Sequence, residues 1–188
     1  MDAPIRYRKI QKSDVNQVSA FIESVFIQFV APEFSNQGID EFLKYIQPET
    51  LINHFEKNHF GILASAGAMM VGVIVVRNDD HIALFFVDSR YQRKGIGKEL
   101  FRRALEHCGR CDIRHSQITV NSSPNAVDAY RKLHFEPTDG EQCVNGIRFV
   151  PMTVGASIGQ QLTAGFKIRQ ILSLAFTGLR NDQTVLTR

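Results

Sequence analysis

The sequence predicts an α+β fold, a mixed and mostly antiparallel sheet flanked by helices, on three observations. Three consecutive apolar runs separated by short turns, Phe60 to Ala66, Ala68 to Arg77 and His81 to Val87, read as an antiparallel meander. Segments with apolar residues at spacings of three and four lie on both sides of that meander, so helices precede and follow it. The chain has 188 residues, of which 44% are apolar and 22% charged, which suits one soluble globular domain with room for an appendage.

Each element has a local reason. Ile5 to Ile10 alternates like a strand. Ser13 and Asp14 can cap the helix that follows, whose Val15, Val18, Phe21, Ile22, Val25 and Phe26 recur on one face. Val30 to Gly38, with Pro32, Ser35, Asn36 and Gly38, reads as a loop. Ile39 to Ile46 and Pro48 to Lys57 follow as two short helices, with Pro48 suited to a first helical position. After the meander, Gly95 to Cys108 places Ile96, Leu100, Phe101, Ala104, Leu105 and Cys108 on one face, with Glu99 and Arg103 paired on the other. A strand at Gln117 to Asn121, a helix at Pro124 to Leu133 and two strands, around Cys143 and at Ile147 to Val154, complete the order.

Charge and composition exclude several classes. The longest nearly uninterrupted apolar run, Ala68 to Val76, is far short of the ~20 residues of a membrane-spanning helix. Met1 to Ile10 has no apolar core of a secretory signal, so a cytoplasmic location is expected. In that setting the acceptor triplet Asn121-Ser122-Ser123 is not expected to be glycosylated. Three cysteines argue against a disulfide framework, and Cys108-Gly109-Arg110-Cys111 lacks the second ligand pair of a structural zinc site, so no metal is expected. Residues 1–154 hold 18 basic and 18 acidic side chains, and the net +3 of the chain sits in the tail. Within that neutral body, Arg90 to Arg114 is locally basic, which points to one anionic ligand rather than to a nucleic-acid face.

The most informative arrangement is strand, then Asp88-Ser89-Arg90-Tyr91, then Gln92-Arg93-Lys94-Gly95-Ile96-Gly97, then helix. Two glycines let the chain turn tightly into the helix, leaving backbone N–H groups and the positive helix end facing one spot, a cradle for phosphates. Two rival phosphate motifs fail. A Walker loop needs glycine at Gln92 and Ser or Thr at Glu99, and a dinucleotide fingerprint needs glycine at Leu100.

Gln92, Gly95 and Gly97 match Gln/Arg-x-x-Gly-x-Gly/Ala, and in this the sequence resembles the GCN5-related N-acetyltransferase (GNAT) family. A second match runs from Val120-Asn121-Ser122-Ser123-Pro124-Asn125 through Tyr130-Arg131-Lys132-Leu133-His134-Phe135 to Gly146-Ile147-Arg148-Phe149-Val150-Pro151-Met152. The likeness covers roughly residues 4–154, and His134 departs from the glycine usual before the phenylalanine. The resemblance implies an acyl-CoA N-acyltransferase fold, residues 1–154 as its domain, and acetyl-CoA as cosubstrate in a gap between splayed strands. It implies that the backbone of Gln92, Arg93, Lys94, Gly95, Ile96, Gly97 and Lys98 holds the pyrophosphate, and that Val87 meets the pantetheine arm. Asn121 and Ser123, with Asn125 behind them, would help hold the coenzyme. Tyr130 would protonate the leaving thiolate, a task suited to a phenol of pKa near ~10.

The implied reaction is direct attack of a primary amine, on a small molecule or a peptide, upon the thioester. The alternative is a non-catalytic acyl-CoA binding module, which Tyr130 disfavours, and a redox role for Cys108 and Cys111 ranks third. The acceptor is expected near Phe26 to Tyr45, where Glu33, Asp40 and Glu41 would attract an amine. The general base is expected to be His81, eleven residues before Gln92, where the resemblance points to a glutamate or a histidine. Strand alternation predicts that His81, Ala83, Phe85 and Val87 share one face. Residues 155–188 are expected to form a C-terminal extension in which Leu162, Phe166, Ile168, Leu172, Ala175, Phe176 and Leu179 can share a helical face. A helix this apolar needs a partner, its own domain or a second subunit in a homodimer, rather than a membrane.

Overall fold

The alternation of the first ten residues becomes strand β1 (Ile5–Lys9) in a computed structural model that describes residues 3–109 and 117–155. Helix α1 (Val15–Phe29) buries Val15, Val18, Ile22, Val25 and Phe26, the residues its apolar period selects. Asp14 does not cap it with its side chain. Its carboxylate instead accepts the Gln11 N–H at 2.7 Å and both guanidinium arms of Arg8 at 2.5 and 2.8 Å, fixing the turn between β1 and α1. Helix α2 (Asn36–Tyr45) starts earlier than its apolar pattern indicates, because Ser35 Oγ accepts the Gly38 N–H and caps it. Helix α3 (Pro48–Lys57) begins at its proline.

The meander forms as β2 (His59–Ala66), β3 (Met69–Arg77) and β4 (His81–Val87), with the tight turn at Asn78 and Asp79, both at positive φ. Helix α4 (Ile96–Gly109), strand β5 (Ile118–Ser122) and helix α5 (Val127–Arg131) follow, α5 after a 3-10 turn at Pro124–Ala126. The two-residue strand β6 (Glu136–Pro137) is too short to leave a sequence pattern, and β7 (Gln142–Val144) and β8 (Ile147–Val154) close the domain. Strand order is β1-β2-β3-β4-β5-β8-β6, with β7 on β8. Among the described strands only the β4–β5 pair is parallel.

Two cores cover the two faces of the sheet. On one, α1, α2 and α3 pack Val18, Ile22, Ile46 and Leu51 against Leu63, Val73, Val75 and Leu84. On the other, α4 and α5 pack Ile96, Leu100, Phe101 and Tyr130 against Ile62, Ile74, Ile82 and Val120. Truncating a fully enclosed ring such as Phe101 to alanine would cost about 3–5 kcal/mol by lost burial and the cavity left behind.

Helix α5 leaves through a Schellman arrangement: Phe135 N–H donates to Tyr130 O at 3.1 Å and His134 N–H to Arg131 O at 2.9 Å. His134 stands at the left-handed position with φ +68°, where glycine would be unstrained. The accompanying apolar contact is Phe135 against the Tyr130 ring, 5.4 Å between centroids, so the helix exit holds Tyr130 in place. Among the described residues no helix is long and apolar enough to cross a membrane. The expected helical extension at 155–188 lies outside the described residues from 156 onward, as does Cys111 of the C-x-x-C pair.

Candidate functional site

Strand β4 pairs with β3 from His81 to Val87, but with β5 only at His81↔Thr119 and Ile82↔Val120. Beyond Ile82 the two parallel strands have no further register, so a gap opens between the second half of β4 and the C-terminal end of β5. A bulge marks the point of departure. Val75 faces Leu84 while its neighbour Val76 faces Ile82, which leaves Ala83 as the extra residue.

The bulge overturns one expectation. An extra residue shifts the two-residue period by one, so Ile82, Phe85 and Val87 face α4 while Leu84 and Phe86 face α1. His81 precedes the bulge and stands opposite to Ile82, so it shares a face with Leu84 and Phe86 and not with Phe85 and Val87.

At the open end of β4 the chain turns through a 3-10 turn at Ser89–Tyr91 into α4. Asp88 organises the entry: its carboxylate accepts the Arg90 N–H at 2.9 Å and the Arg90 guanidinium at 2.9 and 3.0 Å, and this holds its pKa below the ordinary carboxylate value. Gln92 Nε2 donates to Val87 O at 3.1 Å and ties the loop to the strand end. Arg93 and Gly95 take φ of +58° and +82°, which folds the segment back upon the helix start. The first helical N–H to find a carbonyl is that of Glu99, bonded to Gly95 O at 3.0 Å. By helix geometry the Ile96, Gly97 and Lys98 amides therefore point out of the helix end. Arg93, Lys94 and Lys98 are exposed around them, with Lys94 Nζ 4.9 Å above the Tyr91 ring, and Ile96 is buried beneath.

The two glycines differ. Nothing lies within 4 Å of a Cβ at Gly95, so its positive φ is the constraint. Gly97 has no unusual φ, and a Cβ there would meet only Phe85 and Val87, at 3.6 and 3.8 Å, ordinary contact distances. The fold itself thus leaves room for a side chain at Gly97, and its absence fits a ligand that approaches the backbone closely. The cradle, Val87 and Tyr130 come together through Phe85, which lies below Gly97 and 6.1 Å from the Tyr130 ring. Burial raises the Tyr130 pKa well above that of a free phenol, so it keeps its proton at working pH.

The other expected residues divide. Ser123 Oγ donates to Asn125 Oδ1 at 2.7 Å, and Asn125 Nδ2 donates to Phe29 O, so this pair ties the end of α1 to the turn after β5. Asn121 is exposed on β5, two residues beyond Thr119 on the same face. His81 Nδ1 lies 2.8 Å from Thr119 Oγ1, and burial, with Arg77 adding to it, lowers its pKa, so the ring is neutral near pH 7. Thr119 left no sequence signal, because its importance follows from a register between strands far apart in the chain. Among the described residues no group of three or more His, Cys, Asp or Glu could hold a metal.

The segment Val30–Ser35 is pinned at both ends. Phe29 is bonded to Asn125, while Ser35 N–H and Oγ donate to Gly146 O at 3.3 and 3.4 Å. Gly38 abuts Gly146 so closely that a Cβ would collide with its carbonyl. Of the three acidic residues expected here, Glu41 is engaged by Lys44 at 3.1 Å and Asp40 is exposed, whereas Glu33 Oε2 is buried with no hydrogen-bond partner.

Comparisons with known proteins bear on the family and the fold. A family model described as an acetyltransferase (GNAT) domain matches residues 30–156. N-alpha-acetyltransferase 30 of Xenopus laevis is 38% identical over 85 residues, 39% of this chain and 30% of that protein, so the chain matches less than a third of that relative's length. Among solved structures, a GCN5-related N-acetyltransferase from Rhodopseudomonas palustris aligns with TM-score 0.69 at 17% identity, covering 82% of this chain and 98% of that one. The PaiA N-acetyltransferase of Thermoplasma acidophilum, solved with coenzyme A, aligns with TM-score 0.64 at 18% identity, covering 79% and 98%. The chain therefore belongs to the GNAT acetyltransferase family, whose cosubstrate is acetyl-CoA.

Proposed function

We propose that this protein transfers the acetyl group of acetyl-CoA to a primary amine by direct attack. The observation that carries the reading is the gap between β4 and β5, with the outward amides of Ile96, Gly97 and Lys98 at one side and Tyr130 buried beside it. The pyrophosphate sits against those amides, with Arg93, Lys94 and Lys98 countering its charge, and the pantetheine arm runs along Val87. Gln92 supports the reading by holding the loop to the strand end at Val87 O. Asn121 and Ser123 border the coenzyme from the β5 side.

The acceptor enters beneath the pinned segment Val30–Ser35, where Glu33 offers a buried oxygen without a partner to an amine N–H. His81, neutral because burial and Arg77 disfavour its charged form, takes the proton of the ammonium through water. The free amine attacks the thioester carbonyl carbon, a C–N bond forms and the C–S bond breaks. Tyr130, kept protonated by burial, gives its proton to the leaving sulfur. The surplus proton on the nitrogen returns to the phenolate as the amide forms, so the one proton released overall is the one His81 took from the ammonium.

The experiment is a turnover screen that follows thiol release from acetyl-CoA across polyamines, amino acids, aminoglycosides and peptide amino termini. Amine-dependent thiol release is the expected outcome. Coenzyme binding without release from any amine would replace this reading with the binding-module alternative.

A further inference from the structure

The paired end of β4 carries a contact that neither the cradle nor Tyr130 uses. His81 and Thr119 are register partners across the parallel β4–β5 pair, so their side chains stand on one face, with His81 Nδ1 2.8 Å from Thr119 Oγ1. The Thr119 hydroxyl also lies 3.3 Å from Asp80 O, a carbonyl that can only accept. Thr119 N–H donates to the same carbonyl at 2.8 Å, which keeps the hydroxyl beside it. A hydroxyl has one proton. With that proton directed to Asp80 O, the oxygen turns a lone pair to the ring, and Nδ1 must be the nitrogen that carries hydrogen.

We propose that Thr119 is a positioning residue that fixes His81 as its Nδ1–H tautomer and so presents the Nε2 lone pair to the incoming proton. Its part in turnover rests on the reading of His81 as the base. The arrangement acts against a default, since a free histidine side chain in water favours hydrogen on Nε2. The charged and titratable groups around the ring are Arg77 from β3, Asp80 from the turn before β4 and His59 from β2. Arg77 opposes a second proton on the ring and Asp80 favours one, with burial the largest influence. A neutral ring with a chosen tautomer is what a base at this position requires.

The test is 15N spectroscopy of the imidazole rings in the full chain at neutral pH, with the His81 signals identified by their loss in His81→Ala. The expected result is a protonated Nδ1 and an unprotonated Nε2. Thr119→Val, which keeps the branched shape and removes the hydroxyl, should move hydrogen to Nε2 and lower turnover ~5-fold, the scale of one hydrogen bond, with KM for acetyl-CoA unchanged. Thr119→Ser should restore both tautomer and rate. A protonated Nε2 in the unaltered protein overturns the proposal, and that spectrum decides even where Thr119→Val fails to fold. An unmoved tautomer in Thr119→Val overturns it too. If the tautomer moves but His81→Ala turns over normally, the lock stands and the reading of His81 as base falls.

Discussion

The two ends of β4 contrast sharply for a strand of seven residues. At His81 it is paired on both sides, to Arg77 on β3 and to Thr119 on β5, whereas at Val87 it keeps only Gly72 on β3. The paired end is a mount, on which a side chain can be held by a neighbour across the sheet. The open end exposes one wall of a cleft. A single extra residue, Ala83, separates them and also reverses which face each end presents. Rigid positioning and ligand access, which compete at one place in a sheet, are thus divided along one strand.

The sharpest test of the open end is Tyr130→Phe. It removes a proton donor and little contact area, so turnover should fall ~10²- to 10⁴-fold while affinity for acetyl-CoA stays as it was. An unchanged kcat would reduce Tyr130 to a packing partner of Phe85 and Phe135.

Next in size is Gly97→Val. A Cβ there meets Phe85 and Val87 only at ordinary contact distances, so the apo Tm should fall little. The branched side chain blocks close approach to the backbone, however, and the stabilisation of about 2.7 kcal/mol expected at a hundred times the Kd of acetyl-CoA should vanish. Gly95→Val should lose both, because φ +82° strains a branched residue. Thermal shifts with and without coenzyme separate the two, and a normal shift in Gly97→Val would place the coenzyme elsewhere.

The paired end is probed by His81→Ala. Turnover at neutral pH should drop by up to ~10²-fold and the acidic limb of the rate profile should disappear. A surviving limb would transfer the role of base to another group, with Glu33 or bulk water next in line.

The same end should also show in stability. Burial lowers the pKa of His59 to about 4, assisted by His54, Arg77 and His81, and burial lowers those of His54 and His81 as well. His54 and His59 stack at 4.6 Å, with Tyr45 over His54 and Lys57 nearby. Such groups bind protons in the unfolded chain near pH ~6.5 but in the folded one only below that value. Stability is therefore complete above ~6.5 and is lost as pH falls toward about 4, a window above that of ordinary carboxylates. Denaturant midpoints across this range should decline, and the decline should be shallower in His59→Gln.

The smallest effect concerns His134. Replacing it with glycine removes the strain at φ +68° and should raise stability by about 0.5–1 kcal/mol, while activity stays unchanged because Phe135 still closes on Tyr130. A loss of stability would mean that the His134 side chain contributes more than its backbone strain removes.

Much of this was legible in the chain itself. The elements follow from short-range patterns: the period of Val15 to Phe26, the proline that starts α3, the glycines of the turn into α4. His134 stood out only against the glycine usual in the family, and its φ of +68° came with the structure. Chemistry-bearing residues that lie in one local motif, Gln92 to Lys98, could be placed together without a structure.

What the sequence could not supply is whatever depends on strands distant in the chain. Side-chain alternation predicts that His81 and Val87 share a face, and the bulge at Ala83, imposed by the match between β3 and β4, reverses it. The gap exists because β4 and β5 hold only two register pairs, and Thr119 meets His81 through one of them. The pins on Val30–Ser35, from Asn125 and Gly146, likewise come from residues about a hundred positions away. Local sequence determines backbone preference and periodicity over a few residues. Register, splay and the partner of each polar group are decided only when distant segments compete for the same hydrogen bonds and the same buried space.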